Sequence, residues 1–286
     1  MKHFHIMTLF PQMVSDVLSC SITGRAIAKD LIDVNAVLIR DFSVDKHGKT
    51  EDYPYGGGAG LVMQAQPIFD CYRYLAEKIR CRQLDDCREY AAAAFERFVK
   101  DGFCGGGAGA GIGAVRPPGI RKPRVLYMSP RGRRFDQQMA EELVLEEDLI
   151  FLCGHYEGVD ERALELIGAE EVSIGDFILT GGELPACVMI DCISRLVPGV
   201  LGNSDSPEVE SFHDNLLEYP QYSRPEEYMG LKVPEVLLSG HHANVDAWRR
   251  QESIRRTLAA RPDLLEGAVL DRKERRFLKE LQAEKS

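Results

Sequence analysis

The sequence predicts an α/β fold, a domain on a mainly parallel β-sheet followed by a smaller α-helical domain, and three observations carry that prediction. Short apolar runs rich in β-branched and aromatic residues alternate with stretches of helical periodicity up to about residue 201. The segment GNSDSPEVESFHDN then breaks the alternation with small, polar and acidic residues around a proline. Beyond about Leu216 the pattern is helical, with few aromatic residues other than Tyr219, Tyr222, Tyr228 and Trp248.

The elements follow in chain order. HFHIMTLF and NAVLIRDF have strand composition, as do RVLYMS, LIFLCG and EVSIGDFIL. LIFLC is almost continuously apolar, as a strand covered on both faces must be. FDQQMAEELVLEE repeats Phe135, Met139 and Leu143 every four residues, and VDERALELIG places Val159, Ala163, Leu166 and Ile167 on one predicted face. After LTGGE a helix carries the stripe Ala186, Met189, Ile190, Ile193 and Val197, with Pro185 in its first turn and Pro198-Gly199 after its end. Residues from about Leu75 start as a helix and dissolve into GFCGGGAGAGIGAVRPPG, so residues 78–122 are expected to be a mobile Gly-rich insertion. The predicted domains are therefore residues 1–201 with that insertion, a flexible linker at 202–215, and a helical domain at 216–286.

Composition narrows the function classes. The chain has 286 residues, 44% of them hydrophobic, enough for a substantial core. MKHFHIMTLF has no signal-peptide pattern, and LPACVMIDCISRLVPGVLG is interrupted by Asp191, Arg195 and Pro-Gly, so a soluble cytoplasmic protein without a membrane partner is expected. Eight cysteines show no C-x-x-C pair, and the irregular spacing of Cys71, Cys81, Cys87 and Cys104 favours free thiols over a metal site. A net charge of −10 argues against nucleic-acid binding through the overall field. RGRR at 131–134, WRRQESIRR at 248–256 and RKERR at 272–276 are local basic clusters that charge alone assigns to solvated, Glu-paired helix faces.

Three glycine turns sit at predicted strand ends, the edge where ligands of α/β sheets collect: YPYGGGAGLVMQ, CGHYEG and SIGDFILTGGELPA. None ends in the Lys-Ser/Thr that a phosphate-cradling loop requires, and the G-x-G spacing of the insertion lacks both a leading strand and a following helix. Tight glycine turns instead expose backbone N–H and C=O groups that suit an adenine and a ribose.

In this order, PYGGGAGLVM, LYMSPRGRRFDQ, LCGHYEGVDER, SIGDFILTGGELPA, ISRLVPGVLG and VPEVLLSGHHANVDAWRR resemble the bacterial tRNA (guanine-N1)-methyltransferases that modify position 37, beside the anticodon. The resemblance covers nearly the whole chain apart from the Gly-rich insertion. It implies the SPOUT class: a parallel-sheet α/β domain with a deep trefoil knot, a smaller C-terminal α-helical domain, and a homodimer acting on tRNA, not DNA. S-adenosylmethionine is the implied methyl donor. The residues that match the cofactor motif are Tyr127, Met128, Ser129, Pro130, Gly154, Ser173, Ile174, Gly175, Asp176, Phe177, Ile178, Leu179, Thr180, Gly181, Gly182 and Pro185.

Guanine N1 bears a proton that must leave before alkylation, so a carboxylate base suffices, and charge that builds on O6 is stabilised by a guanidinium. The resemblance places the guanidinium at Arg195, a guanine-contacting carboxylate at Glu157, and the base at Glu210, contributed by the linker of one protomer to the cofactor loops of the other. Glu210 stands where the family has Asp, one methylene longer; Asp205, Glu208 and Asp214 are the neighbouring alternatives. Ala59 replaces a family Pro and is expected to loosen its turn. Arg249, Arg250, Arg255 and Arg256 become expected contacts to tRNA phosphates. The chemistry needs no metal; Mg²⁺ acting through the tRNA or the site is left open, without a ligand motif. A tRNA-binding protein that has lost catalysis is the alternative reading.

Overall fold

The computed structural model describes residues 1–84, 122–202, 211–212 and 214–284, which divide into two compact units, Met1–Gly202 and Asn203–Ser286. The first unit is built on five parallel strands in the order β2-β1-β6-β5-β7. These are β1 (Lys2–Thr8), β2 (Ile32–Leu38), β5 (Arg124–Arg134), β6 (Asp148–Leu152) and β7 (Ala169–Ser173), while β3 (Glu51–Asp52) and β4 (Val62–Met63) form a separate short ribbon.

Strand periodicity sends apolar side chains to both faces of the sheet. On β1, Phe4 and Ile6 enter one core and Met7 the other; on β6, Leu149 and Phe151 oppose Ile150 and Leu152. All of them are buried, which explains why LIFLC reads as an unbroken apolar run. The first face is covered by α1 (Pro11–Leu18), α2 (Ser21–Ala28), α4 (Gln137–Val144) and α6 (Glu183–Arg195), and the second by α3 (Ala65–Gln83) and α5 (Glu161–Ile167). Asp136 caps α4 by accepting the Met139 N–H at 2.8 Å, and Gly168 ends α5 in the left-handed conformation.

Several expectations need correction. NAVLIRDF stops being a strand at Leu38 and tightens into a 3₁₀ turn over Ile39–Phe42. EVSIGDFIL is a strand only to Ser173; its remaining residues form the cavity loop described below. Leu166 is 61% exposed, whereas Leu164 joins Ala163 and Ile167 in the core with Val159 packed beside them, because at about 100° per residue Leu166 points away from the face centred between those three. The first part of 78–122 is ordinary helix, since α3 runs to Gln83 with Ile79 and Cys81 buried; residues 85–121 lie outside the described ones.

The second unit holds α7 (Glu235–Leu238), α8 (His242–Ala260) and α9 (Arg272–Glu284), with a short hairpin of β8 (Glu227–Tyr228) and β9 (Leu231–Lys232). Leu216, Ile254 and Leu270 form its small core, flanked by Phe277, Leu278 and Leu281. The buried Thr257 hydroxyl donates to Ser253 O at 2.7 Å and accepts the Leu217 N–H at 2.8 Å, pinning the entering chain to α8.

Candidate active site

Three chain segments leave the C-terminal edge of the sheet and enclose a cavity of about 350 Å³. Residues 127–130 come from β5, 154–158 follow β6, 172–175 and 177–182 come from the end of β7 and the loop after it, and Pro185 of α6 completes the lining. Backbone crowding shapes it. Gly132 lies so close to β7 that an added Cβ would sit 2.2 Å from the Glu171 carbonyl carbon, where the β5–β7 register slips between Met128 and Arg133. Gly182 brings the start of α6 against the end of β6: its N–H donates to Gly154 O at 3.0 Å, and a Cβ there would approach Cys153 Cα to 2.6 Å. In LTGGE, Gly182 therefore serves close approach of main chain to main chain, while Gly181 makes room for the side chains of His155 and Glu183.

Every residue matching the cofactor motif lines this cavity except Asp176. Asp176 is exposed and paired with Arg134 at 2.7 Å. Burial, assisted by the Glu171 charge, pushes the Tyr127 hydroxyl above its usual range. Ser129 donates to Glu171 at 2.6 Å, and Arg131 pairs with the same carboxylate at 2.9 Å.

Two contacts escaped the sequence reading, the pairing of His155 with Glu183 and the packing of the expected site residue Glu157 over Gly60. His155 lines the cavity, and its Nε2 lies 2.8 and 2.9 Å from the two carboxylate oxygens of Glu183, which is buried and also accepts the Thr8 hydroxyl at 2.5 Å. A His and a Glu flanked by apolar segments were the only sequence signal; nothing in one chain pairs positions 28 apart. Glu157 also lines the cavity, and its side chain lies over Gly60, where an added Cβ would come within 2.4 Å of its Cγ. Glu157 N–H donates to Leu61 O at 2.9 Å, so the PYGGGAG turn and the HYEG turn are joined.

The remaining predicted residues lie elsewhere. Arg195 is the last residue of α6, part-exposed and not in the cavity lining. Glu210, Asp205 and Glu208 fall outside the described residues. Asp214 and Arg250 pair with each other, and Arg250 also binds Glu274 at 2.7 Å and Val269 O at 2.8 Å, which braces the second unit internally. Arg249 stacks over Tyr219 at 5.0 Å, and Arg255 pairs with Glu252 and lies over Phe277 at 5.7 Å. Arg256 is exposed on α8.

Cys153 and Cys187 are buried beside the cavity. Burial first and the Glu183 charge second raise both thiols, Cys187 to about 11, so neither supplies a thiolate nucleophile near neutral pH. Cys71 and Cys81 are buried free thiols, while Cys87 and Cys104 lie outside the described residues. Among the described residues no group of three or more His, Cys, Asp or Glu is arranged to hold a metal, and no helix is long and apolar enough to cross a membrane.

The sequence model of the family described as tRNA (Guanine-1)-methyltransferase TrmD matches residues 1–84 and 76–267. The chain belongs to this methyltransferase family. It is 51% identical over 280 residues to the tRNA (guanine-N(1)-)-methyltransferase of Lachnoclostridium phytofermentans, covering 98% of this chain and 97% of that protein. Proteins of the same name from Lachnospira eligens and Clostridioides difficile are 54% and 48% identical over 266 and 261 residues, covering 93% and 91% of this chain and 96% of each relative.

Methyltransferases of this family use S-adenosylmethionine, and the cavity fits that group. Its volume of about 350 Å³ suits a compact ligand, and its glycine walls offer main-chain donors and acceptors beside Phe177, Ile178 and Leu179. Among the described residues no Lys or Arg lines it, whereas Glu157 does and Glu183 stands behind His155. That balance suits a sulfonium cation and opposes a nucleoside phosphate.

Proposed function

We propose that this chain transfers a methyl group to N1 of a guanine in tRNA, at position 37 as the resemblance implies. The observation that carries the reading is the cavity without Lys or Arg, formed by the three loops that bear the family's motifs. The fold class expected for the chain, a parallel-sheet α/β domain with a smaller helical unit, agrees with the family; the trefoil knot is part of the proposal.

When bound, S-adenosylmethionine supplies a methyl group already activated on sulfur. The chain's own residues then have two tasks. Glu210 accepts the N1 proton as the ring becomes anionic, and Arg195 stabilises the charge on O6, while Glu157 orients the guanine. Main-chain groups of 174–182 and of Gly154 hold the adenine and ribose. Arg249, Arg250, Arg255 and Arg256 contact tRNA phosphates, Arg250 through the N–H groups that its bonds to Asp214, Glu274 and Val269 leave over.

A homodimer belongs to the same proposal. α1 and α6 pack side by side and leave Met13 and Val17 of one helix and Leu184 and Val188 of the other exposed at helical spacing, and Ile178 and Leu179 of the cavity loop are exposed as well. Exposed apolar side chains on packed neighbouring helices suit burial against a second copy.

The test is incubation of the full chain with unmodified tRNA carrying guanine at position 37 and labelled S-adenosylmethionine, followed by mass mapping of the digested tRNA. One methyl on N1 at that position is the expected product. Unlabelled tRNA that still binds the protein would overturn the proposal in favour of a binding protein without catalysis.

A further inference from the structure

The proposed chemistry leaves unused a buried charged group beside the cavity, the carboxylate of Glu183. It stands at the first position of α6, only 1% exposed, with donors on both oxygens: Thr8 at 2.5 Å on one, and His155 Nε2 at 2.9 and 2.8 Å across both. The Thr8 hydroxyl in turn accepts the Phe10 N–H at 2.8 Å, and the Phe10 ring meets the imidazole edge-on at 5.0 Å. Burying a carboxylate costs free energy that an apolar residue of similar size avoids, and the N-terminus of α6 offsets only part of it. Packing alone does not call for a charge here.

Its position says what the charge acts on. Gly181 lines the cavity, and a Cβ added there would lie 2.3 Å from His155 Cε1 and 2.7 Å from Glu183 Oε2, so the carboxylate stands directly behind that stretch of main chain. Of the other charges nearby, Arg131 pairs with Glu171 and Arg134 with Asp176, while the Glu157 carboxylate lines the cavity at its solvent-facing side and adds to the same negative field. Glu183 is the fully buried carboxylate beside the cavity among the described residues.

We infer that Glu183 is a charge-selecting residue of the cavity, whose negative field favours a sulfonium ligand over the neutral thioether that remains once the methyl group has gone. The inference rests on the assignment of S-adenosylmethionine to this cavity. Its consequence is directional: donor binding is favoured and product held less tightly.

Calorimetric titration of the full chain with S-adenosylmethionine and with S-adenosylhomocysteine tests it, because loss of scaffolding weakens both ligands while loss of field weakens only the cation. Removing one charge in a partly polar interior changes the affinity ratio of donor to product by roughly tenfold in Glu183→Gln, whereas Glu183→Asp stays within about twofold of wild type. In His155→Gln the carboxylate persists, so the ratio holds or rises. Equal loss of both ligands in Glu183→Gln overturns the inference, as does a ratio that falls in His155→Gln. Should Glu183→Gln not fold, the His155→Gln ratio decides alone. Wild-type protein that binds neither ligand would instead retire the cofactor assignment itself.

Discussion

Replacing Gly182 by Ala tests the main-chain construction of the cavity. The new Cβ would meet Cys153 Cα at 2.6 Å, Gly154 N at 2.9 Å and Cys153 C at 3.1 Å, all backbone atoms, so no side-chain rotation relieves the overlap. The start of α6 must retreat, which strains the packing by roughly 1–3 kcal/mol and removes most of a hydrogen bond worth about 1 kcal/mol. A total near 3 kcal/mol in a unit of this size lowers Tm by roughly 6–12 °C. Calorimetric melting measures that shift, and titration with S-adenosylmethionine should show affinity reduced by about tenfold or more, since the wall is displaced. Gly202→Ala is the control: its Cβ would have nothing within 4 Å, and the change should stay within about 0.5 kcal/mol. A Gly182→Ala protein that melts within about 2 °C of wild type and binds the donor normally would refute the close-approach argument.

Further predictions concern catalysis, tRNA binding and pH. Arg195→Ala should abolish methyl transfer with donor affinity nearly intact, as titration and single-turnover assays would show; a parallel loss of donor binding would give Arg195 another role. Glu210→Gln should slow the single-turnover rate while filter binding still detects tRNA, and a normal rate would move the base elsewhere. Arg250→Ala should destabilise the second unit by about 1–2 kcal/mol by urea denaturation, after allowance for solvent screening, whereas Arg256→Ala should leave stability unchanged and reduce the salt slope of tRNA binding by about 1. Lys2 is buried, and desolvation lowers its pKa to about 8 against the attraction of Glu146 and Asp148. The unfolded chain therefore holds that proton more tightly, and wild type should gain stability relative to Lys2→Met as pH rises from about 8 to 10.5, by at most about 3 kcal/mol. Parallel pH profiles of the two proteins would contradict this.

The strands were legible because they are covered on both faces: LIFLC and HFHIMT carry apolar residues to two cores at once. The cavity was legible as motifs, since its walls are contiguous turns at strand ends. Three things were not. EVSIGDFIL has strand composition, yet Ile178 is 81% exposed, because apolar side chains in a cavity-lining loop have the same composition as those in a core. Arg250 reads like its neighbours in WRRQESIRR, but its partners Asp214, Val269 and Glu274 come from distant positions. The Thr8, His155 and Glu183 cluster gathers one residue from each of three segments, and no local pattern encodes such a meeting.

Cavity walls made of peptide backbone also set the terms for drug resistance. A small-molecule competitor that grips the carbonyl and amide groups of 174–182 touches atoms that every amino acid shares, so few codon changes can remove its footing. Escape would have to run through glycines such as Gly182, where any side chain disturbs the same groups proposed to hold the methyl donor.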